Sequence, residues 1–263
     1  MDLTTRKIFI TGASAGIGKS MVKVLADRGV QQLAVMARNL EGLHQLEKEY
    51  PSIEFLIIVG DIGQPEAVVS AAEMIKEQWG GLDVLINNAG VVSAGALEKI
   101  SDSDIIQMIQ INLTGLILLT KHILPLLKES DDAAIMNVSS GLGYIAQPFY
   151  NVYAATKAGV KQFADSMRRE LVHHPIHVIT VFPTATDTPM MVNAKMNRKM
   201  DEPDMVAGMS LDAMVAGERE IVFGGKQRLD DIQLNFSNPE AMDAKVEAGL
   251  ESMRLRTESH RAM

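Results

Sequence analysis

The chain has 263 residues, 47% apolar and 22% charged, a globular balance that excludes a fibre or a disordered chain. It contains no cysteine, which removes disulfides, thiolate metal sites and a cysteine nucleophile. Its formal net charge of −8 leaves no basic stripe to replace phosphate counterions, so no nucleic-acid partner is expected.

A chain this long buries enough surface to fold without a metal or a crosslink. The N-terminus runs straight into a strand pattern with no signal-peptide layout, and the longest apolar runs, such as 53–59, are too short to cross a bilayer. A cytoplasmic protein with no membrane partner is expected. The six histidines are scattered, and the adjacent pair His173 and His174 does not share a helix face, so no metal site is expected.

In chain order, β-branched runs at 7–11, 32–37, 54–59, 83–87, 133–139, 176–182 and 220–223 predict strands. Several are apolar at consecutive positions, as in strands covered on both faces. Amphipathic stretches at 18–28, 40–50, 65–79, 103–127 and 152–173 predict the helices between them, with Pro65 suited to a first helical turn. The alternation predicts α/β architecture, one doubly wound parallel sheet of about seven strands with helices on both faces, in one domain over 1–263.

After Pro183 the character changes. Met190, Met191, Met196, Met200, Met205, Met209 and Met214 crowd one stretch, which reads either as a mobile substrate cover over about 187–217 or as surface helices with buried methionines. A helical tail is expected over about 238–263, started by Pro239 and carrying Met242, Val246, Leu250 and Met253. It packs either on this domain or on a partner subunit.

The first predicted strand ends in Thr11-Gly12-Ala13-Ser14-Ala15-Gly16-Ile17-Gly18 and leads at once into a helix. Such a turn lets backbone approach a pyrophosphate, and the helix N-terminus adds free N–H groups and partial positive charge. Overlapping it, Gly18-Lys19-Ser20 misses a nucleotide-triphosphatase P-loop only because Ala13 replaces the first glycine, and Asp61 stands where a Mg2+-binding aspartate would. A phosphotransferase reading, however, leaves everything between Asn87 and Lys157 unused.

Tyr153 and Lys157 lie four residues apart at a predicted helix start and share a face. At roughly 4 Å and an effective dielectric of about 20, the ammonium attracts a phenolate by about 4 kcal/mol. That is enough to draw a phenol with a pKa of about 10 toward working pH. At the end of the second strand, Ala37 replaces the acid that would bond an adenosine ribose and repel its 2′-phosphate. Arg38 offers a planar, permanently charged fork for that phosphate.

Together with Asn87-Asn88-Ala89-Gly90 and Asn137-Val138-Ser139-Ser140, in this order, these motifs over about residues 5 to 190 resemble the short-chain dehydrogenase/reductase family. The resemblance implies a Rossmann fold and an NADP(H)-dependent oxidoreductase interconverting a carbonyl and an alcohol on a small molecule. It implies Tyr153 as general acid/base, Ser140 polarising the substrate oxygen, and Lys157 binding ribose while lowering the tyrosine pKa. Asn112 would hold a water linking Lys157 to solvent, and Ser139 would be structural. The cofactor would lie on Gly12, Ser14, Gly16, Ile17, Gly18, Arg38, Asp61, Ile62, Asn88, Ala89, Gly90, Tyr153, Lys157, Pro183 and Thr188. Ser14 and Arg38 would face the 2′-phosphate, Asp61 and Ile62 the adenine, and Thr188 the carboxamide. A homodimer or homotetramer is implied, pairing the helices at 103–127 and 152–173 across subunits. One departure is Thr184, where the family commonly has glycine, near the nicotinamide. The alternative is a non-catalytic NADP(H)-binding sensor or scaffold, which has no physical need of Ser140, Tyr153 and Lys157.

Overall fold

Strand β1 (Lys7–Thr11) sends Ile8 and Ile10 to one side and Phe9 to the other, and all three are fully buried. A strand apolar on both faces needs cover above and below, which the helical crossovers of a parallel sheet supply. The computed structural model, which describes residues 1–196 and 199–263, has this arrangement. β1 is joined by β2 (Gln32–Ala37), β3 (Glu54–Val59), β4 (Val84–Asn87), β6 (Ala133–Val138), β7 (Ile176–Phe182) and β8 (Glu220–Val222). All pair in parallel, in the order β3-β2-β1-β4-β6-β7-β8. The chain winds outward from β1 in one direction and then restarts beside it with β4. That reversal opens a crevice at the strands' C-terminal ends, where ligands bind in such sheets.

On one face lie α1 (Gly16–Asp27), α2 (Leu40–Glu49) and α7 (Pro203–Val215), packed through Met21, Val22, Leu25, Leu43, Leu46 and Leu211. On the other lie α3 (Pro65–Trp79), α5 (Leu116–Leu127) and α6 (Asn151–Glu170), packed through Val68, Ile75, Leu119, Ile123 and Ala164. Each large side chain so buried contributes about 1.5–3 kcal/mol.

The predicted helix 103–127 begins as α4 (Asp102–Ile109), widens into a π-helical turn over Gln110–Gly115, and continues as α5. The resulting run Asp102–Leu127 contains an 18-residue window of mean hydropathy 1.3 and is long and apolar enough, by length and composition, to cross a membrane. This corrects the expectation that every apolar run is too short. The run is the continuation of two apolar stretches across a polar turn, and 44% of that window is buried inside this fold.

The methionine-rich stretch divides; of the span 187–217, residues 197 and 198 lie outside the described residues. Met190, Met191 and Met196 line the crevice. α7 instead lies along α1, with Met214 buried and Met205 and Met209 facing solvent. The tail is more broken than expected: α8 (Gly225–Ser237), α9 (Pro239–Glu247) and α10 (Leu250–Thr257) lead to a short strand, β9 (Arg261–Ala262). β9 pairs antiparallel with β5 (Val92–Ser93), just after β4, so the tail docks on its own chain. Arg261 clamps this end by donating Nε and Nη2 to the Asp104 carboxylate at 2.8 and 3.0 Å.

Candidate active site

A cleft of about 820 Å3 opens at the point where the strand order reverses. Its floor is the glycine turn. Gly12 sits at φ +67 and Gly16 at φ +54, a region glycine enters without strain. A Cβ on Gly12 would stand 2.9 Å from Ala89 Cα, and one on Gly18 would run into the Gly12 carbonyl oxygen. The turn is held from beneath by Asn88, whose Nδ2 donates to the Thr11 carbonyl at 2.9 Å. The backbone N–H groups of Asn88 and Ala89 donate to the Thr11 hydroxyl, each at 3.1 Å. Ala15 caps α1 without a side-chain bond, so the first N–H groups of the helix face the cleft unclaimed by a cap. This cradle has room for backbone-bound phosphates and none for larger residues, so it fits a dinucleotide pyrophosphate.

Lys19, the lysine of the near-miss P-loop, points away: its Nζ lies 3.4 Å from Glu49 on α2. At the cofactor end, Ser14, Arg38 and Asn39 share one wall. Arg38 is half exposed, and the carboxylate of Asp61 stands 3.9 Å from its Nη1. Asp61 Oδ1 accepts from the Gly63 N–H at 2.9 Å, which fixes the turn after β3.

At the other end, Ser140 and Tyr153 come together. The Ser140 hydroxyl faces the phenol and accepts from the Leu142 N–H at 3.1 Å. Ser139 turns away and donates to the Lys157 carbonyl at 2.8 Å, a structural bond. Lys157 is buried at 4% exposure, its Nζ donating to the Val138 carbonyl at 2.9 Å and lying 5.7 Å from the Tyr153 ring centroid. Burial pushes the Tyr153 phenol up to about 12, against the nearby Ser140 hydroxyl, which favours ionisation. Burial also brings the Lys157 ammonium down to about 8. Burial thus drives both groups toward their neutral forms, desolvation being the largest cause for each.

Asn112 and Gly18 do not reach the cleft surface; the other residues singled out from the sequence line it. Asn112 is fully buried in the π-helical turn. Its Oδ1 accepts from the Val91 N–H at 2.8 Å, and its Nδ2 donates to the Val91 carbonyl at 2.9 Å and to Thr156 Oγ1 at 3.2 Å. The side-chain amide is thus held in place by protein groups on both of its ends. A Cβ on Gly90 would lie 3.3 Å from Asn112 Oδ1 and 3.4 Å from Lys157 Nζ, so these three residues crowd one spot.

Thr184, the unusual residue after β7, donates its hydroxyl to Asp201 Oδ2 at 2.5 Å. The Asp187 N–H donates to the Asp201 carbonyl and the Asp201 N–H to the Ala185 carbonyl, both at 2.9 Å. Its side chain therefore buttons the return of the methionine-rich segment onto the loop, a role glycine lacks.

Sequence reasoning missed the wall supplied by the tail. Tyr150 lies edge-on to Tyr153, with ring centroids 6.5 Å apart. His260 Nδ1 is 2.8 Å from the Tyr150 hydroxyl and Nε2 is 3.0 Å from the Met190 carbonyl. Nε2 must carry the proton it gives to a carbonyl, so Nδ1 accepts from the phenol. Burial lowers the His260 pKa and favours this neutral ring. Only the spacing of tail residues to residue 150 across the fold reveals this pair, and no local pattern carries it.

Residues 6–199 match the family profile described as short chain dehydrogenase. The chain is 33% identical over 202 residues to a human protein, short-chain dehydrogenase/reductase family 9C member 7, covering 76% of this chain but only 63% of that protein's length. It is 30% identical over 190 residues to a 3-oxoacyl-(acyl-carrier-protein) reductase of Vibrio cholerae, covering 72% of this chain and 77% of that one. A short-chain dehydrogenase from Burkholderia cenocepacia, solved in complex with NADP, superposes with a TM-score of 0.73 at 26% identity, covering 83% and 93% of the two chains. One from Streptomyces avermitilis shares the fold with a TM-score of 0.79 at 22% identity, covering 95% and 98%.

Proposed function

Because this chain belongs to the short-chain dehydrogenase family, we propose that it uses NADP(H) to interconvert a carbonyl and an alcohol on a small molecule. The observation that carries the reading is the meeting of the Ser140 hydroxyl and the Tyr153 phenol over the buried Lys157 ammonium, at the opposite end of one cleft from Arg38. Bound NADPH supplies the hydride. The glycine turn and the N-terminus of α1 hold its pyrophosphate, Ser14 and Arg38 its 2′-phosphate, and Lys157 its nicotinamide ribose.

In reduction, Ser140 Oγ donates a hydrogen bond to the substrate oxygen, and Tyr153 Oη gives that oxygen its proton as negative charge develops. A phenol held at about 12 is fully protonated at neutral pH and ready to donate. Lys157, held at about 8, exchanges its Nζ proton near working pH and refills the tyrosine. The fit of the glycine cradle, the absence of an acid at Ala37 and the NADP complex of the Burkholderia cenocepacia protein support the cofactor choice. The outward isoleucines Ile106 and Ile109 support a homo-oligomer built on the long helices.

The test is a fluorescence titration with NADPH, NADH and Mg2+-ATP, followed by carbonyl turnover by wild type and Tyr153→Phe. Tight NADPH binding with turnover lost in Tyr153→Phe is expected. Equal binding of NADH overturns the role of Arg38. NADPH binding with no turnover of any carbonyl favours a sensor, and ATP binding alone overturns the whole assignment.

A further inference from the structure

The substrate end of the cleft is apolar where Leu142, Met190, Met191 and Met253 line it, but α10 brings one cation into that wall, Arg256. The Arg256 Nε is buried with no hydrogen-bond partner. Among the described residues no carboxylate pairs with its guanidinium, although the chain has 33 acidic residues and a net charge of −8. The other arginines of the cleft are answered within the protein. Arg38 faces Asp61 at 3.9 Å, and Arg228 donates to the Gly141 carbonyl beside Asp231. Arg256 has Tyr150 next to it instead, a neutral phenol that already donates to His260.

A cation taken partly out of water without a counter-charge is costly, and an arriving anion relieves that cost. The backbone that carries the guanidinium is also anchored. His260 ties the tail to the Met190 carbonyl, and the Arg261–Asp104 pair anchors it beyond. The segment carrying Arg256 lies outside residues 6–199, the part matched to the family.

We propose that the substrate carries a carboxylate, which Arg256 binds through its planar fork while the apolar body of the molecule lies against the methionines. This makes Arg256 the specificity-determining residue and the substrate class an apolar keto or hydroxy acid. The proposal rests on the oxidoreductase reading of the same cleft. A forked charge-assisted pair suits a carboxylate in geometry as well as charge.

The experiment compares a homologous series of oxo-carboxylic acids with their methyl esters, in turnover with NADPH and in calorimetric binding to the NADP-loaded protein. Wild type is expected to prefer the best acid over its ester by about tenfold to a hundredfold, the range of a charged hydrogen-bonded contact. Arg256→Gln is expected to collapse that preference through KM, and Arg256→Lys to keep part of it. Equal use of acid and ester by wild type, or an unchanged preference in Arg256→Gln, overturns the proposal. If Arg256→Gln no longer binds NADPH and so has lost its fold, the wild-type preference and Arg256→Lys decide. If no carbonyl compound is turned over, the oxidoreductase reading fails by itself. A calorimetric preference for acid that Arg256→Gln abolishes still establishes the anion site.

Discussion

Replacing Lys157 with methionine is expected to stabilise the protein at neutral pH while abolishing turnover. The native fold holds Lys157 at about 8 against an ordinary value of 10.5. Below pH 8 the ammonium is charged in both folded and unfolded chains, and the native state bears the full cost of burying it. That cost is about 3 kcal/mol for a depression of this size. Between pH 8 and 10.5 the native state has released the proton and the unfolded chain has not, so wild-type stability rises with pH across that window. Lys157→Met removes the buried charge but leaves the Val138 carbonyl without its 2.9 Å donor. That loss costs about 1–3 kcal/mol. The net gain at pH 7 is therefore about 1 kcal/mol, and it declines by about 3 kcal/mol as pH approaches 10.5, changing sign on the way. Urea unfolding of both proteins at several pH values from 7 to 10 measures the difference. The ionisation of Tyr153 is common to both and largely cancels. A difference that does not change with pH would refute the buried-charge argument.

Carbonyl reduction is expected to fall as pH rises through about 8, because Lys157 loses the proton that refills Tyr153. A kcat profile flat to pH 9 would remove Lys157 from the relay. Arg38→Glu is expected to weaken NADPH binding by about a hundredfold, the loss of a charge-assisted pair plus repulsion of the 2′-phosphate, and to leave NADH nearly unchanged. A titration showing equal losses for both cofactors would assign Arg38 a structural role. Arg261→Ala leaves the buried Asp104 carboxylate, held at about 2 by the Arg261 guanidinium, without its main partner. Tail undocking should follow, read as faster proteolysis within α10 and a raised KM; unchanged cleavage would show that β9 and His260 hold the tail unaided. Sedimentation at micromolar concentration should show an oligomer, and monomer alone would remove the role given to Ile106 and Ile109.

The strands β2 and β7 end where their apolar runs end, because a parallel strand buried on both faces must be apolar at almost every position. The glycine turn was equally legible, since its constraint is local backbone geometry at Gly12 and Gly16. The sequence likewise named Ser140, Tyr153 and Lys157, whose spacing on one strand end and one helix start is a matter of a few residues. It did not reveal their electrostatics. An attraction estimated from spacing predicts an acidic tyrosine, whereas the tertiary packing strips water from both groups and pushes each toward neutrality. Nor did it reveal the fourth wall of the cleft. Tyr150 meets His260, Asp104 meets Arg261 and β5 meets β9 across separations of more than a hundred residues. The segments that carry these contacts are short and mixed in polarity, so they have no periodicity of their own. Local chemistry set the glycine turn and the spacing of Ser140, Tyr153 and Lys157; long-range packing alone decided that Arg256 lines the same cleft.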